Sequence, residues 1–270
     1  MTTRPAVRLV DAGLSFPGRT LWSGLTMSVQ PGEFVAVLGP NGSGKSSLLK
    51  VLLGRLRLST GAAEVAGGPD AVGYVPQQGA VETGAATGIR GVDLVGLGLD
   101  GQRWGLGLRG MRRRRQRVAE AVAAVGAEQF AGKPFNQLSG GEQQRLRVAQ
   151  ALVGEPAVLL CDEPLLSLDV AQQQAISELI DRRRREAGTT VLFVTHEINP
   201  ILSYVDKVLY LVDGRFRVGP PREVMTSAVL SELYRAPVRV VELDGQLHVA
   251  GAHSAVCEDE PHHVQQRVAG

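Results

Sequence analysis

Residues 39–46 read Gly-Pro-Asn-Gly-Ser-Gly-Lys-Ser, preceded by the apolar run Phe34-Val35-Ala36-Val37-Leu38 and followed by Ser47-Leu48-Leu49-Lys50. A buried strand, a glycine-rich loop and a helix start in that order leave few folds open, because together they turn backbone N–H groups around an anion. Gly39, Gly42 and Gly44 let the chain curl inward where a Cβ would obstruct it, with Pro40, Asn41 and Ser43 between them. Lys45 then sets an ammonium against the β and γ phosphates of a nucleotide. Ser46 offers a hydroxyl to Mg²⁺, and the helix opened by Ser47 points its positive end at the anion.

The remaining composition narrows the setting. With 270 residues, 44% of them hydrophobic, the chain can bury one core with subdomains or two small cores. Twenty-nine Lys and Arg against 27 Asp and Glu leave a net charge of +2, which gives no argument for nucleic acid. Cys161 lies in an apolar strand far from Cys257, so a reducing compartment is expected rather than a disulfide framework. The start, Met1-Thr2-Thr3-Arg4-Pro5, has no secretory apolar stretch, and no apolar run is long enough to span a bilayer. Any membrane role is therefore expected to pass through a partner.

Alternation predicts strands over residues 7–16 and 21–29 about a turn at Pro17-Gly18, then short strands over 61–66 and 71–75 about Gly67-Gly68-Pro69-Asp70. From about Val92 the period becomes helical. Val118, Ala119, Ala121, Val122 and Val125 make an apolar face approached by Arg112 to Arg115 and Arg117, which reads as an inserted helical subdomain. Leu138-Ser139-Gly140-Gly141-Glu142-Gln143 opens a further helix and, with two glycines at its start, a second anion cradle. Residues 157–161 and 190–195 are apolar strands, the first ending in Asp162-Glu163 and the second in His196. Hairpins are expected at Asp213-Gly214 and Asp244-Gly245, with a short helix after Pro220-Pro221. Arg182 to Arg185 suit the negative end of a helix and call for no partner.

In order, the phosphate loop, Gln77, Leu138-Ser139-Gly140-Gly141-Glu142, Asp162-Glu163, Asp169 and His196 resemble the ATP-binding subunit of an ABC transporter. The resemblance covers roughly residues 5 to 225, and the Leu-Ser-Gly-Gly-Glu signature separates this family from other phosphate-loop ATPases. It implies an α/β fold: a P-loop NTPase core with an N-terminal antiparallel β subdomain and an inserted helical subdomain. The nucleotide-binding domain is expected over residues 1–226, with the helical part at about 82–153. A helix and β-hairpin extension is expected over 227–250, and a disordered tail over 251–270.

The resemblance also assigns roles. Asp162, with Ser46 and Gln77, serves the Mg²⁺ of Mg·ATP, while Glu163 polarises the attacking water and His196 reports the γ phosphate. Gln77 couples the core to the helical subdomain, and Phe16 stacks on adenine. Ser139, Gly140, Gly141 and Glu142 meet the ATP held by the Lys45 loop of a second copy, with Asp169 at the seam, so a homodimer closes on ATP and hydrolysis releases it. Leu166 stands in Leu166-Ser167-Leu168-Asp169 where the family usually has serine, which puts that contact in question.

Such a subunit works with integral membrane permease subunits at the cytoplasmic face of the membrane, as a peripheral protein. Asp93-Leu94-Val95-Gly96-Leu97-Gly98 and Thr195-His196-Glu197-Ile198-Asn199-Pro200 resemble zinc and manganese transporters, mostly uptake systems, which would add an extracytoplasmic metal-binding protein. Another substrate such as a metal chelate, or a soluble ABC ATPase outside transport, are the alternatives. His248, His253, Cys257, His262 and His263, with the acidic residues 258–260, are ligand types whose irregular spacing fits no closed zinc site. They are expected to lie largely in the exposed tail.

Overall fold

The computed structural model describes residues 4–68, 71–77, 88–100 and 111–251. At its centre is a six-stranded sheet made of β3 (Phe34–Leu38), β5 (Val72–Val75), β6 (Val158–Asp162), β7 (Thr190–Val194), β8 (Lys207–Val212) and β9 (Arg215–Gly219). Their order is β5-β6-β7-β3-β8-β9, parallel throughout except for the β8–β9 hairpin. The central strands β3, β6 and β7 are buried at every position and almost wholly apolar because the sheet is covered on both faces. Phe34, Ala36 and Leu38 of β3, with Val191 and Phe193 of β7, enter one core. Val35, Val37, Leu192 and Val194 enter the other. Each such side chain removed from water contributes about 1.5–3 kcal/mol. Cys161 belongs to the first core, and burial pushes its thiol pKa up, so it is an inert packing residue.

The second core is closed by a three-stranded antiparallel sheet and by helix α1 (Lys45–Leu52). In that sheet β1 (Val7–Phe16) pairs with β2 (Arg19–Val29) on one side and β4 (Thr60–Val65) on the other. Residues 61–66 and 71–75 thus form strands as expected, but in different sheets. Alternation specifies a strand and not its neighbour.

The helical segment contains α2 (Gly91–Asp100), α3 (Met111–Ala124) and α4 (Gly140–Leu152). Val118 and Val122 of α3 are buried, as their period predicts. On α2, a Cβ at Gly98 would sit 2.1 Å from the Gln150 carbonyl, so the glycine lets α2 approach the backbone of α4. The helix after Asp169 is α5 (Val170–Ala187), and its arginines differ from expectation. Arg184, only 15% exposed, bridges Asp181 and Asp206 and donates to the Gly32 carbonyl. Arg185 pairs with Asp181, and Arg182 donates to the Ala124 carbonyl at 2.9 Å. These cations tie α5 to the residues leading into β3 and β8 and to the end of α3, whereas the expectation is a helix terminus that needs no partner. The chain continues through α6 (Pro221–Val224), α7 (Ser227–Tyr234) and the hairpin β10 (Arg239–Leu243) and β11 (Gln246–Ala250). No helix among the described residues is long and apolar enough to cross a membrane.

Candidate functional site

The site lies where β3, β6 and β7 end side by side. β3 runs into the 39–46 loop and α1, and Gly39 takes φ +140°, where a Cβ would fall 2.0 Å from the Leu211 carbonyl of β8. The loop is therefore pressed against its neighbouring strand. Gly39→Ala is expected to cost about 2–5 kcal/mol from overpacking and backbone strain. Chemical denaturation measures this, and a loss below about 1 kcal/mol would mean that the loop moves aside. Lys45, at the first position of α1, is buried, and its Nζ donates to the carbonyls of Gly39 (2.8 Å) and Pro40 (3.0 Å). Burial lowers its pKa, while the carboxylates of Glu163 and Asp162 oppose that shift. The Ser43 hydroxyl is also buried, has no hydrogen-bond partner among the described residues, and faces Gly39 across the loop. A buried donor of this kind fits a loop shaped for phosphate oxygens.

Asp162 ends β6 and is buried. One carboxylate oxygen accepts from Ser46 Oγ at 2.9 Å, and the other lies 3.4 Å from the Tyr74 hydroxyl. Ser46 and Asp162 together present hard oxygen donors of the kind Mg²⁺ takes. Gln77 is exposed just beyond β5, the strand beside β6. Burial and Asp162 push the Tyr74 pKa up to about 12, so the phenol stays protonated and remains a donor.

Glu163 has φ +46°, a left-handed conformation costly for a residue with a Cβ. Its N–H is held by the Val194 carbonyl at 3.0 Å, which ties it to β7. Beyond β7, Thr195 Oγ1 accepts from the Glu197 N–H and donates to the Glu197 carbonyl, closing a small ring around His196. His196 Nδ1 stands 3.7 Å from Glu163 Oε2, and both side chains line one cleft with Leu166 and Ser167. That gap is too long for a hydrogen bond and short enough for an atom between them to meet both.

The signature loop is built elsewhere. Ser139 caps α4 in a reciprocal box, accepting from the Glu142 N–H while Glu142 Oε2 accepts from the Ser139 N–H at 2.8 Å. The Glu142 carboxylate is thus engaged within its own helix start, and these contacts hold it ionised below the usual carboxylate range. Asp169 likewise caps α5, accepting from the Gln172 N–H at 2.8 Å. The two helix starts adjoin: a Cβ at Gly141 would lie 2.8 Å from the Gln172 amide carbon, and one at Gly140 3.8 Å from Leu168. Ser139, Gly140 and Asp169 therefore form one exposed surface, with Gly141 buried beneath it against Gln172. Phe16 is 45% exposed at the end of β1 and is not a core residue.

Several residues at the site carry no sequence signal. Arg19 donates to the Gly42 carbonyl at 2.8 Å, Trp22 packs under Gly44, and Tyr74 reaches Asp162. Each acts across a gap that only folding closes. His253, Cys257, His262 and His263 lie outside the described residues, whereas His248 is exposed on β11.

The family profile described as ABC transporter matches residues 22–166. The zinc import ATP-binding protein ZnuC of Pseudomonas fluorescens is 34% identical, over 93% of this chain and 91% of its own. Among solved structures, an inward-facing metal-chelate type ABC transporter superposes with TM-score 0.79 at 27% identity, over 91% of this chain and 96% of that one. A dimeric post-hydrolysis ATP-binding cassette bound to ADP and Pi superposes with TM-score 0.67 at 27% identity, over 79% of this chain and 98% of that one.

Proposed function

This chain belongs to the ABC transporter family as an ATP-binding, ATP-hydrolysing subunit, and from that premise we propose that it powers zinc import across a membrane as one of two identical ATPase copies. The observation that carries the ATPase assignment is the meeting of three strand ends, where the Lys45 loop, the Ser46–Asp162 pair and the Glu163–His196 cleft surround one space. ATP enters with its phosphates in the 39–46 loop, against Lys45 and the N–H groups that the glycines turn inward, and with adenine on Phe16. Ser46 and Asp162, with Gln77, would hold Mg²⁺, which when bound neutralises charge on the phosphates. Glu163 orients a water and takes its proton as it attacks, and His196 hydrogen-bonds the γ phosphate.

The surface made by Ser139, Gly140 and Asp169, at the helix start that Gly141 packs, completes the pocket of a second copy. Each ATP then joins two chains, and a dimeric relative with ADP and Pi supports that arrangement. Permease subunits receive the resulting motion, and the chain sits peripherally on the cytoplasmic face. The zinc assignment rests on the relative's name, and the structural relative of metal-chelate type supports a chelate as the second reading.

Reconstitution in vesicles with the permease subunits tests both. Zinc delivered by its binding protein is expected to raise ATP turnover and to drive zinc into vesicles. Stimulation by a chelate alone selects the second reading, and full turnover insensitive to any membrane partner ends both.

A further inference from the structure

The C-terminal hairpin is too small to be stable alone, since two strands without a third or a packed face are marginal in water. Here β10 and β11 are held by side chains that stand in for missing strands. Ser231 Oγ accepts from the Val238 N–H at 2.9 Å and donates to its carbonyl at 3.1 Å. Ser227 Oγ does the same at Val240, at 2.9 and 3.4 Å. Both serines lie on α7, and α7 is fixed to the central sheet. Arg215 of β9 donates to the carbonyls of Glu232 and Leu233, Leu230 and Leu233 are buried, and Tyr234 meets Tyr210 of β8 at 3.2 Å. The first strand of the hairpin therefore belongs to the rigid body of the molecule.

The second strand is pinned by one residue from somewhere else. Asn199 Nδ2 donates to the Leu247 carbonyl at 3.1 Å, and Asn199 Oδ1 accepts from the Leu247 N–H at 2.8 Å. This two-point clasp satisfies both backbone groups of Leu247 with one amide. Asn199 opens the 3-10 turn Asn199–Tyr204, and between it and His196 come only exposed Glu197 and buried Ile198. Upstream, the Thr195 ring holds the other side of His196. His196 itself is half exposed, and it lines a shared cavity with Ile198, Tyr210, Leu247 and His248. The backbone carrying His196 is thus held at one end by β7 and at the other by the hairpin.

We infer that the hairpin is a strut that sets where His196 stands, with Asn199 as the positioning residue, so that ATP turnover depends on a segment outside the nucleotide pocket. The inference rests on the assignment of His196 to the γ phosphate. Losing the clasp leaves Lys45, the phosphate loop and Phe16 in place. It therefore lowers kcat more than it raises KM for ATP, the pattern of a group that acts mainly in the transition state.

Five full-length proteins decide it: the unmodified chain, Asn199→Ala, His196→Ala, the double variant, and Asn199→Asp as the conservative change that keeps the acceptor for Leu247. The readouts are kcat, KM for ATP, ATP and ADP affinities, and thermal midpoint. His196→Ala alone tests the parent reading; if it turns over ATP normally, that reading fails and the strut falls with it. With His196→Ala impaired, Asn199→Ala is expected to reduce kcat by about tenfold to a hundredfold, the scale of a misplacement near 1 Å, with KM within about twofold. Asn199→Asp is expected between Asn199→Ala and the unmodified chain. In the double variant the loss is expected to equal that of His196→Ala alone, because the clasp acts through that side chain. Losses that multiply, or an Asn199→Ala protein with a lower thermal midpoint and unchanged kcat, overturn the strut and leave the His196 assignment standing.

Discussion

Glu163→Gln is expected to stop ATP hydrolysis while sparing ATP binding, and to trap the chain as a dimer. Glutamine keeps the shape and the backbone contact to the Val194 carbonyl but cannot accept the proton of the attacking water. General-base catalysis contributes about 10²–10⁴-fold, so kcat is expected to fall by that factor. If hydrolysis opens the pocket shared by two copies, as proposed, Mg·ATP then accumulates paired chains, which light scattering reads directly alongside phosphate release. Turnover near the unmodified rate would falsify the role given to Glu163.

The backbone adds a second arm. Glu163 holds φ +46°, a conformation that glycine takes without steric cost. Glu163→Gly is therefore expected to abolish turnover while leaving the folded state as stable or up to about 1 kcal/mol more so. Clear destabilisation would instead mean that the carboxylate, through its charge beside Lys45, is part of what holds the site together.

Lys45→Ala is expected to remove nucleotide binding itself. The Lys45 ammonium is buried and is the donor to two loop carbonyls, Gly39 and Pro40, so its loss removes the fixed cation and leaves those carbonyls without their partner. Truncating one member of a buried, hydrogen-bonded charge pair costs about 2–5 kcal/mol, which is roughly 30-fold to a few thousandfold in affinity for ATP. Calorimetric titration with ATP measures it. ADP, which lacks the γ phosphate, is expected to lose less. An affinity within about threefold of the unmodified chain would show that the backbone N–H groups bind the phosphates without help.

Much of this site was legible before folding. The strand, loop and helix around residues 34–52 announce themselves because the chemistry is local: the glycines, Lys45 and Ser46 are neighbours in the chain as well as in space. Asp162-Glu163 and His196 were readable as strand ends because a parallel sheet covered on both faces demands apolar runs, and a charge that terminates such a run stands out. Contacts across chain distance were not. Ser46 meets Asp162 and Tyr74 meets the same carboxylate over separations of 116 and 88 residues. The arginines of α5 read as suited to the helix's negative end without a partner, until the fold brought Asp206, Gly32 and Ala124 to them.

The amino-acid sequence by itself determined which elements form, which residues carry reactive groups, and to which family of ATPases the chain belongs, because periodicity, glycine placement and motif order are properties of neighbours along the chain. Only the tertiary structure decided that β4 and β5 join different sheets, that the helix starts at Ser139 and Asp169 share one surface, and that a hairpin at the far end of the chain clasps the turn beyond His196. Those outcomes depend on which surfaces exclude water together and which buried polar groups find partners. These are properties of the folded molecule, and no local stretch of sequence carries them.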